Sequence, residues 1–201
     1  MNTSQKLPRD FYFSKVNSVA KALLGKIFVR KNQSQFLSGK IVEVEAYDWQ
    51  HDEASHSFNG KTKRNEVMFG EGGHLYVYFT YGMHFCANVV TSKAGFGSAV
   101  LIRAIEPIDG INEMALNRFG KRNIDKKEFI NLCNGPAKIC QAFGIDRSNN
   151  GINIQADEIF ILDSPKIETS KIISTTRIGI KKSIDLPWRY YIKDNPFVSK
   201  K

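Results

Sequence analysis

The sequence predicts a single α+β domain built on a mostly antiparallel sheet. Short apolar and aromatic runs with two-residue alternation recur between turn-forming stretches, as in strands joined by compact connections. A few stretches instead carry helical spacing or helix-capping residues. The 201 residues suit one domain with a sizeable core.

Residues 1–10 are polar and read as a loose arm, followed by one domain over 11–197 and a basic tail over 198–201. Val16, Val19, Ala20, Leu23 and Leu24 fall on one helical face, with Gly25 placed to end the helix. Lys26 to Arg30 and Leu37 to Tyr47 read as strands. Asp48 to Gly73 is a long polar connection of the kind that often carries function. His74 to Thr91 is aromatic β-structure interrupted at Tyr81-Gly82, and Ser98 to Glu106 is a further strand. Pro107 suits the first turn of a helix running to about Phe119. Lys121 to Glu128 is a charged patch, and Asn134 with Pro136 opens a helix ending near Gly144. Ile159 to Leu162, Lys171 to Ile180 and Trp188 to Ile192 close the sheet, leaving Lys200-Lys201 solvated.

Lysine and arginine number 29 against 20 acidic residues, a net charge of +9. Such an excess favours polyanions, either nucleic acid or an anionic membrane; a basic-surfaced enzyme acting on small anions is the plainer alternative. There is no signal-like leader and no apolar run long enough to cross a bilayer, so a cytoplasmic, non-secreted protein is expected. Cys86, Cys133 and Cys140 are odd in number, lie in apolar surroundings and form no CxxC, which fits buried thiols and neither a disulfide framework nor a zinc site.

In IVEVEAYDW, Val42, Val44 and Ala46 alternate with Glu43, Glu45 and Tyr47. A solvated acidic face is the plain reading. Tyr47 beside a carboxylate points to a site that binds a planar group and activates water. In HDEASH the histidines are five apart, which does not match a zincin, so His56 reads as a pocket hydrogen-bonding group or a surface residue. Leu75, Val77 and Phe79 alternate with His74, Tyr76, Tyr78 and Thr80, giving one apolar and one tyrosine-bearing face. Tyr78 on a cleft can stack on a base, and Tyr81 at a glycine turn can fill the gap left by an extruded nucleotide. Arg103 sits within AVLIRAIEP, where a buried guanidinium needs an acid partner. Lys61, Lys63, Arg64 and Lys138 are candidate contacts to a nucleic-acid backbone, with Arg118, Lys121, Arg122, Lys126 and Lys127 as further basic residues. No P-loop, dinucleotide fingerprint, nucleophile elbow or kinase signature occurs.

EVEAY, DEASHS, RNEVMF, LYVYFTYGMHFCANV, VLIRAIEP and NGPAKICQAFGI, in that order, resemble the alkyladenine (3-methyladenine, methylpurine) DNA glycosylase family over most of the chain. The resemblance implies a compact domain with a curved antiparallel sheet and a protruding β-hairpin, without metal or organic cofactor. It implies Glu45 as the base that activates water and Arg103 beside it. Tyr47, His56 and Tyr78 would hold the flipped base, Asn88 would discriminate against guanine, and Tyr81 would be the intercalating wedge. The implied activity is monofunctional excision of alkylated or deaminated purines from double-stranded DNA by a monomer. A non-catalytic protein that only stacks on bases, and an enzyme acting on RNA or another nucleoside, remain alternatives at this point.

Overall fold

In the computed structural model, which describes residues 5–32, 35–80 and 82–200, eight strands join in one antiparallel sheet. They are β1 (Ile27–Lys31), β2 (Phe36–Tyr47), β3 (Leu75–Thr80), β4 (His84–Thr91), β5 (Ser98–Asp109), β6 (Ile159–Leu162), β7 (Ile172–Thr175) and β8 (Arg189–Ile192). The main order is β3-β4-β5-β2-β1-β6; β8 also pairs with β2 and carries β7 on its other side. Four helices accompany them: α1 (Val16–Leu23), α2 (Ile111–Phe119), α3 (Lys126–Asn131) and α4 (Pro136–Phe143).

The curvature originates in β2. Its first part pairs with β1 through Phe36 to Lys40, and its last part pairs with β8 through Glu43 to Glu45. Between them the ladder to β5 shifts register around Val42. A bulge of this kind bends a strand and increases its twist. It also breaks the side-chain alternation: Ile41, Val44 and Ala46 enter the main core, whereas Val42 joins a second cluster with Ala104 and Phe197. Val42, Val44 and Ala46 therefore do not share one core, as uninterrupted alternation predicts.

α1 packs on β2 and β5, while α4 packs on β4 and β5 with α2 against it. The α1 face is buried as its spacing predicts, through Val16, Val19, Ala20 and Leu23. Pro107 differs from expectation. It lies in β5 opposite Gly39, beyond the Ser98 to Leu101 stretch that β4 covers, so its missing N–H breaks no ladder bond to β4. The helix begins after Gly110, whose φ of +76° and closeness to Leu37 exclude a side chain. The charged patch is partly helical: Asp125 and Glu128 form a reciprocal capping box that starts α3. β7 stops at Thr175, and the residues from 176 to 188 form a loop rather than continuing the strand to Ile180. Val198 is buried, and Ser199 hydrogen-bonds into the interior. Among the described residues, no helix is long and apolar enough to cross a membrane.

Candidate active site

The strand registers assemble the site. Tyr76 pairs with Asn88, Asn88 with Leu101, Leu101 with Glu45 and Glu45 with Arg189, one row across β3, β4, β5, β2 and β8. Two-residue alternation adds Tyr78, Cys86 and Arg103 beside that row. Over it lies a cavity of about 450 Å³ with Tyr47, His56, Tyr76, Tyr78, Asn88 and Arg103 in its walls. That volume suits a single purine-sized group. The loop from Ile178 to Lys182 and the Glu53 side close its rim, and Met68 and Leu101 supply apolar lining.

Glu45 is fully buried, so the acidic face of β2 is not a solvated one. Its Oε2 accepts hydrogen bonds from Tyr47 Oη at 2.8 Å and Arg103 Nη1 at 3.2 Å, and its Oε1 accepts from the Ile178 N–H at 2.7 Å. All three donors line the cavity, which puts the carboxylate just behind its wall. Burial on its own lowers the Arg103 pKa, but Glu45 and Glu43 outweigh it and hold the guanidinium above its ordinary value. A desolvated carboxylate fixed by one cation and two neutral donors is a strong acceptor aimed at the cavity.

The opposite wall is aromatic. Tyr76 and Tyr78 stack with ring centroids 5.6 Å apart, and His56 meets the Tyr78 ring edge-on at 4.6 Å. His56 Nδ1 and Tyr76 Oη are 3.0 Å apart. Desolvation, with Arg64 as a lesser cause, lowers the His56 pKa to about 4. Water on the open side of this exposed residue moderates the shift, but its direction makes the imidazole neutral at pH 7. Burial pushes Tyr76 up to about 12 and raises Tyr78 further, with Cys86 as the next cause there. These phenols are hydrogen-bond donors at neutral pH. Asn88 is buried, and its Nδ2 donates to the Tyr76 carbonyl at 3.1 Å, which fixes the amide against the cavity.

A second ion pair holds the walls together. Arg177 Nη1 and Nη2 donate to the two oxygens of Asp52 at 2.5 and 2.6 Å, and neither side chain has exposed surface. Arg177 Nη1 also donates to the Ala46 carbonyl at 2.9 Å, and its Cζ lies 4.6 Å from the Tyr47 ring centroid. Asp52 in turn accepts from the Ala54 N–H at 3.1 Å. One pair thus joins the end of β2, the start of the long connection and the loop that presents Ile178.

Among the sequence-predicted residues, the structure brings Glu45, Arg103, Tyr47, His56, Tyr78 and Asn88 around one cavity. Tyr81 lies outside the described residues. Its neighbours are described: Gly82 has φ +68°, as a tight turn requires, and Met83 is 70% exposed at the hairpin end. Arg64 lies over the Tyr78 ring at 5.8 Å and, like Lys61 and Lys63, is exposed. Lys138, on α4, donates to Asn134 Oδ1 at 2.7 Å and to Asn131, and so is held by the end of α3 and the connection that follows it. Sequence reasoning did not single out Arg177, Ile178, Asp52 or the Lys181-Lys182 rim. Arg177 lacks the signal that marked Arg103, since Ser174, Thr175 and Thr176 precede it in IISTTRIGI and only Ile178 and Ile180 beyond it are large and apolar. Among the described residues, no group of three or more His, Cys, Asp or Glu side chains is placed to hold a metal ion.

Comparison with known proteins agrees with this geometry. Residues 10–196 match the family described as methylpurine-DNA glycosylase (MPG). A Francisella tularensis subsp. tularensis protein is 50% identical over 190 residues, covering 93% of this chain and 95% of the relative. A Carboxydothermus hydrogenoformans protein is 50% identical over 196 residues, covering 97% and 99%. An Alkaliphilus oremlandii protein is 46% identical over 202 residues, covering 98% and 100%. All three bear the name "Putative 3-methyladenine DNA glycosylase". A match over nearly the whole chain, on a fold that gathers the matching motifs around one cavity, settles the family: the chain belongs to the methylpurine-DNA glycosylases, hydrolases of DNA repair.

Proposed function

We propose that this protein excises alkylated purines from double-stranded DNA by hydrolysing the N-glycosidic bond. The observation that carries the reading is the buried Glu45 carboxylate, held by Tyr47, Arg103 and Ile178 directly behind an aromatic cavity of purine size.

The target nucleotide swings out of the duplex, and its base enters between Tyr47, Tyr78 and His56. N3- or N7-alkylated purines are cationic, so their glycosidic bond is already weakened. The tyrosine faces favour them by cation–π attraction of about 0.5–2 kcal/mol. Neutral His56 and the protonated tyrosines supply hydrogen bonds without opposing that charge. As the bond between C1′ and the base nitrogen breaks, its electron pair leaves with the base and the sugar becomes an oxocarbenium ion. Glu45 stabilises that cation and takes a proton from the water whose oxygen bonds to C1′. Glu45 Oε1 carries one protein hydrogen bond, so a lone pair remains for that water. In the free protein Tyr47 and Ile178 shield it, and entry of the nucleotide moves one of them aside. Tyr81 holds the vacated space in the duplex. Asn88 disfavours the guanine 2-amino group, and Lys61, Lys63, Arg64 and Lys138 contact phosphates. The protein works as a monomer in the cytoplasm, on chromosomal DNA.

The excision is monofunctional. The lysines on the cavity wall, Lys181 and Lys182, belong to its rim, where Lys182 pairs with Glu53 at 3.2 Å. The test is base release from duplexes carrying 3-methyladenine, 7-methylguanine, ethenoadenine or hypoxanthine, with a borohydride-trapping arm. Wild type should release base and leave an intact abasic strand, and Glu45→Gln should bind lesion DNA without releasing base. Full release by Glu45→Gln refutes the base assignment. A trapped protein–DNA adduct refutes the monofunctional reading. Binding without release by wild type makes this a stacking protein only.

A further inference from the structure

Glu43 is fully buried and is not part of the cavity wall, so it touches neither a base nor a water held there. It nevertheless accepts four hydrogen bonds. Its Oε1 accepts from Arg103 Nε at 3.1 Å, Arg189 Nε at 2.7 Å and Ser199 Oγ at 2.9 Å, and its Oε2 accepts from the Ser199 N–H at 2.6 Å. Arg103 is thereby shared, with Nε on Glu43 and Nη1 on Glu45. A guanidinium is planar and rigid, so a carboxylate that fixes Nε also fixes where Nη1 points.

The support for Glu43 comes from a segment far along the chain. Ser199 follows Phe197, which packs on Val42, Ala104 and Phe129, and Arg189 on β8 also donates to the Lys200 carbonyl. The β2 bulge sends Val42 into this second cluster beside Glu43, away from the main core. The same irregularity that bends the sheet therefore docks the Phe197 to Lys200 segment behind the reaction centre.

We infer that Glu43 and Ser199 are positioning residues for Arg103: through the buried carboxylate, and by accepting directly from Arg103 Nη2 at 3.4 Å, Ser199 fixes the guanidinium direction that serves Glu45. The inference rests on the glycosylase reading above. Two buried carboxylates flank one guanidinium, but only Glu45 lies behind the cavity wall. Glu43 acts on chemistry through Arg103 alone, and its loss should slow excision without weakening lesion binding.

The experiment measures single-turnover excision and lesion-DNA affinity in wild type, Glu45→Gln, Glu43→Gln, Ser199→Ala and Ser199→Thr. Glu43→Gln should excise about 10- to 100-fold more slowly, the scale of a misdirected catalytic group, with affinity within about threefold of wild type. Ser199→Ala should slow excision by about fivefold, and Ser199→Thr, which keeps the hydroxyl, should recover it to within about twofold. If Glu43→Gln fails to fold, the Ser199 pair decides alone. Ser199→Ala at the wild-type rate, Ala and Thr variants equally slow, or a loss of affinity in step with rate each overturn the inference. An active wild type and inactive Glu45→Gln alongside a fully active Ser199→Ala removes the positioning role and leaves the glycosylase reading standing. A wild type that releases no base removes both.

Discussion

Replacing Asp52 by asparagine keeps the size of the side chain and removes one charge from the pair that joins the cavity walls. Both partners lack exposed side-chain surface, and the contact is bidentate at 2.5 and 2.6 Å. Breaking such a pair costs about 3–5 kcal/mol, because the surviving charge stays desolvated. Arg177 retains the Ala46 carbonyl at 2.9 Å and the Tyr47 and Trp188 rings at 4.6 and 5.5 Å, which places the loss near the lower end. For a chain of this length about 3 kcal/mol corresponds to a fall in Tm of about 6–12 °C. Urea and thermal unfolding of Asp52→Asn measure it directly. The exposed Lys182–Glu53 pair is the internal control, and Glu53→Gln should shift stability by less than about 1 kcal/mol. Asp52→Leu with Arg177→Met removes both charges and should restore much of the lost stability. Excision should remain impaired in that double variant, since Tyr47 loses the guanidinium over its ring and the loop bearing Ile178 loses its tie to Asp52. Asp52→Asn within about 0.5 kcal/mol of wild type would refute the reasoning, since an unpaired guanidinium without solvent cannot be that inexpensive.

Three further outcomes are expected. The His56 pKa is lowered below its unfolded value, so between about pH 4 and 6.5 the unfolded chain binds a proton that the folded chain does not. The His56 contribution to stability should be complete above that window and decline as pH falls through it. An NMR titration showing His56 at or above 6.5 would contradict the described environment. Asn88→Ser removes the amide fixed on the Tyr76 carbonyl and should raise guanine-type excision relative to adenine-type by about tenfold; unchanged selectivity removes that role. Tyr81→Ser should weaken lesion binding and slow excision across substrates, measured with a fluorescent base analogue that reports flipping, and unaltered flipping would exclude the wedge.

The sheet was legible because its strands carry regular signals. β3 alternates cleanly, β5 opens with a continuous apolar run, and α1 shows one apolar face ended by a glycine. Pro107 is ambiguous in the sequence because a proline suits both a helix first turn and a strand stretch without a partner on its N–H side, and only the tertiary pairing decides. The strand expected over Lys171 to Ile180 ends at Thr175 for a related reason. Ile178 and Ile180 look like strand residues, yet their apolarity serves the cavity rim. The bulge at Val42 left no mark in the sequence either, because the register of one strand depends on its partners.

The candidate site divides along the same line. Glu45 and Tyr47 were visible because two-residue alternation places them together, and Arg103 because a charge within an apolar strand demands a partner. Which acid it finds is a matter of geometry, and here it finds two. The long connection and the 176–188 loop have no period, so nothing in their pattern says that Asp52 and Arg177, distant in sequence, meet without water. Local pattern fixes which face a side chain takes. Long-range ionic pairing then decides whether the faces meet in one reactive arrangement. Glu43 shows the consequence most sharply: it lies on β2 two residues from Glu45, with nothing in the local pattern to tell the two apart, and only the cavity on one side and Ser199 on the other separate the carboxylate proposed to react from the one proposed to aim its neighbour.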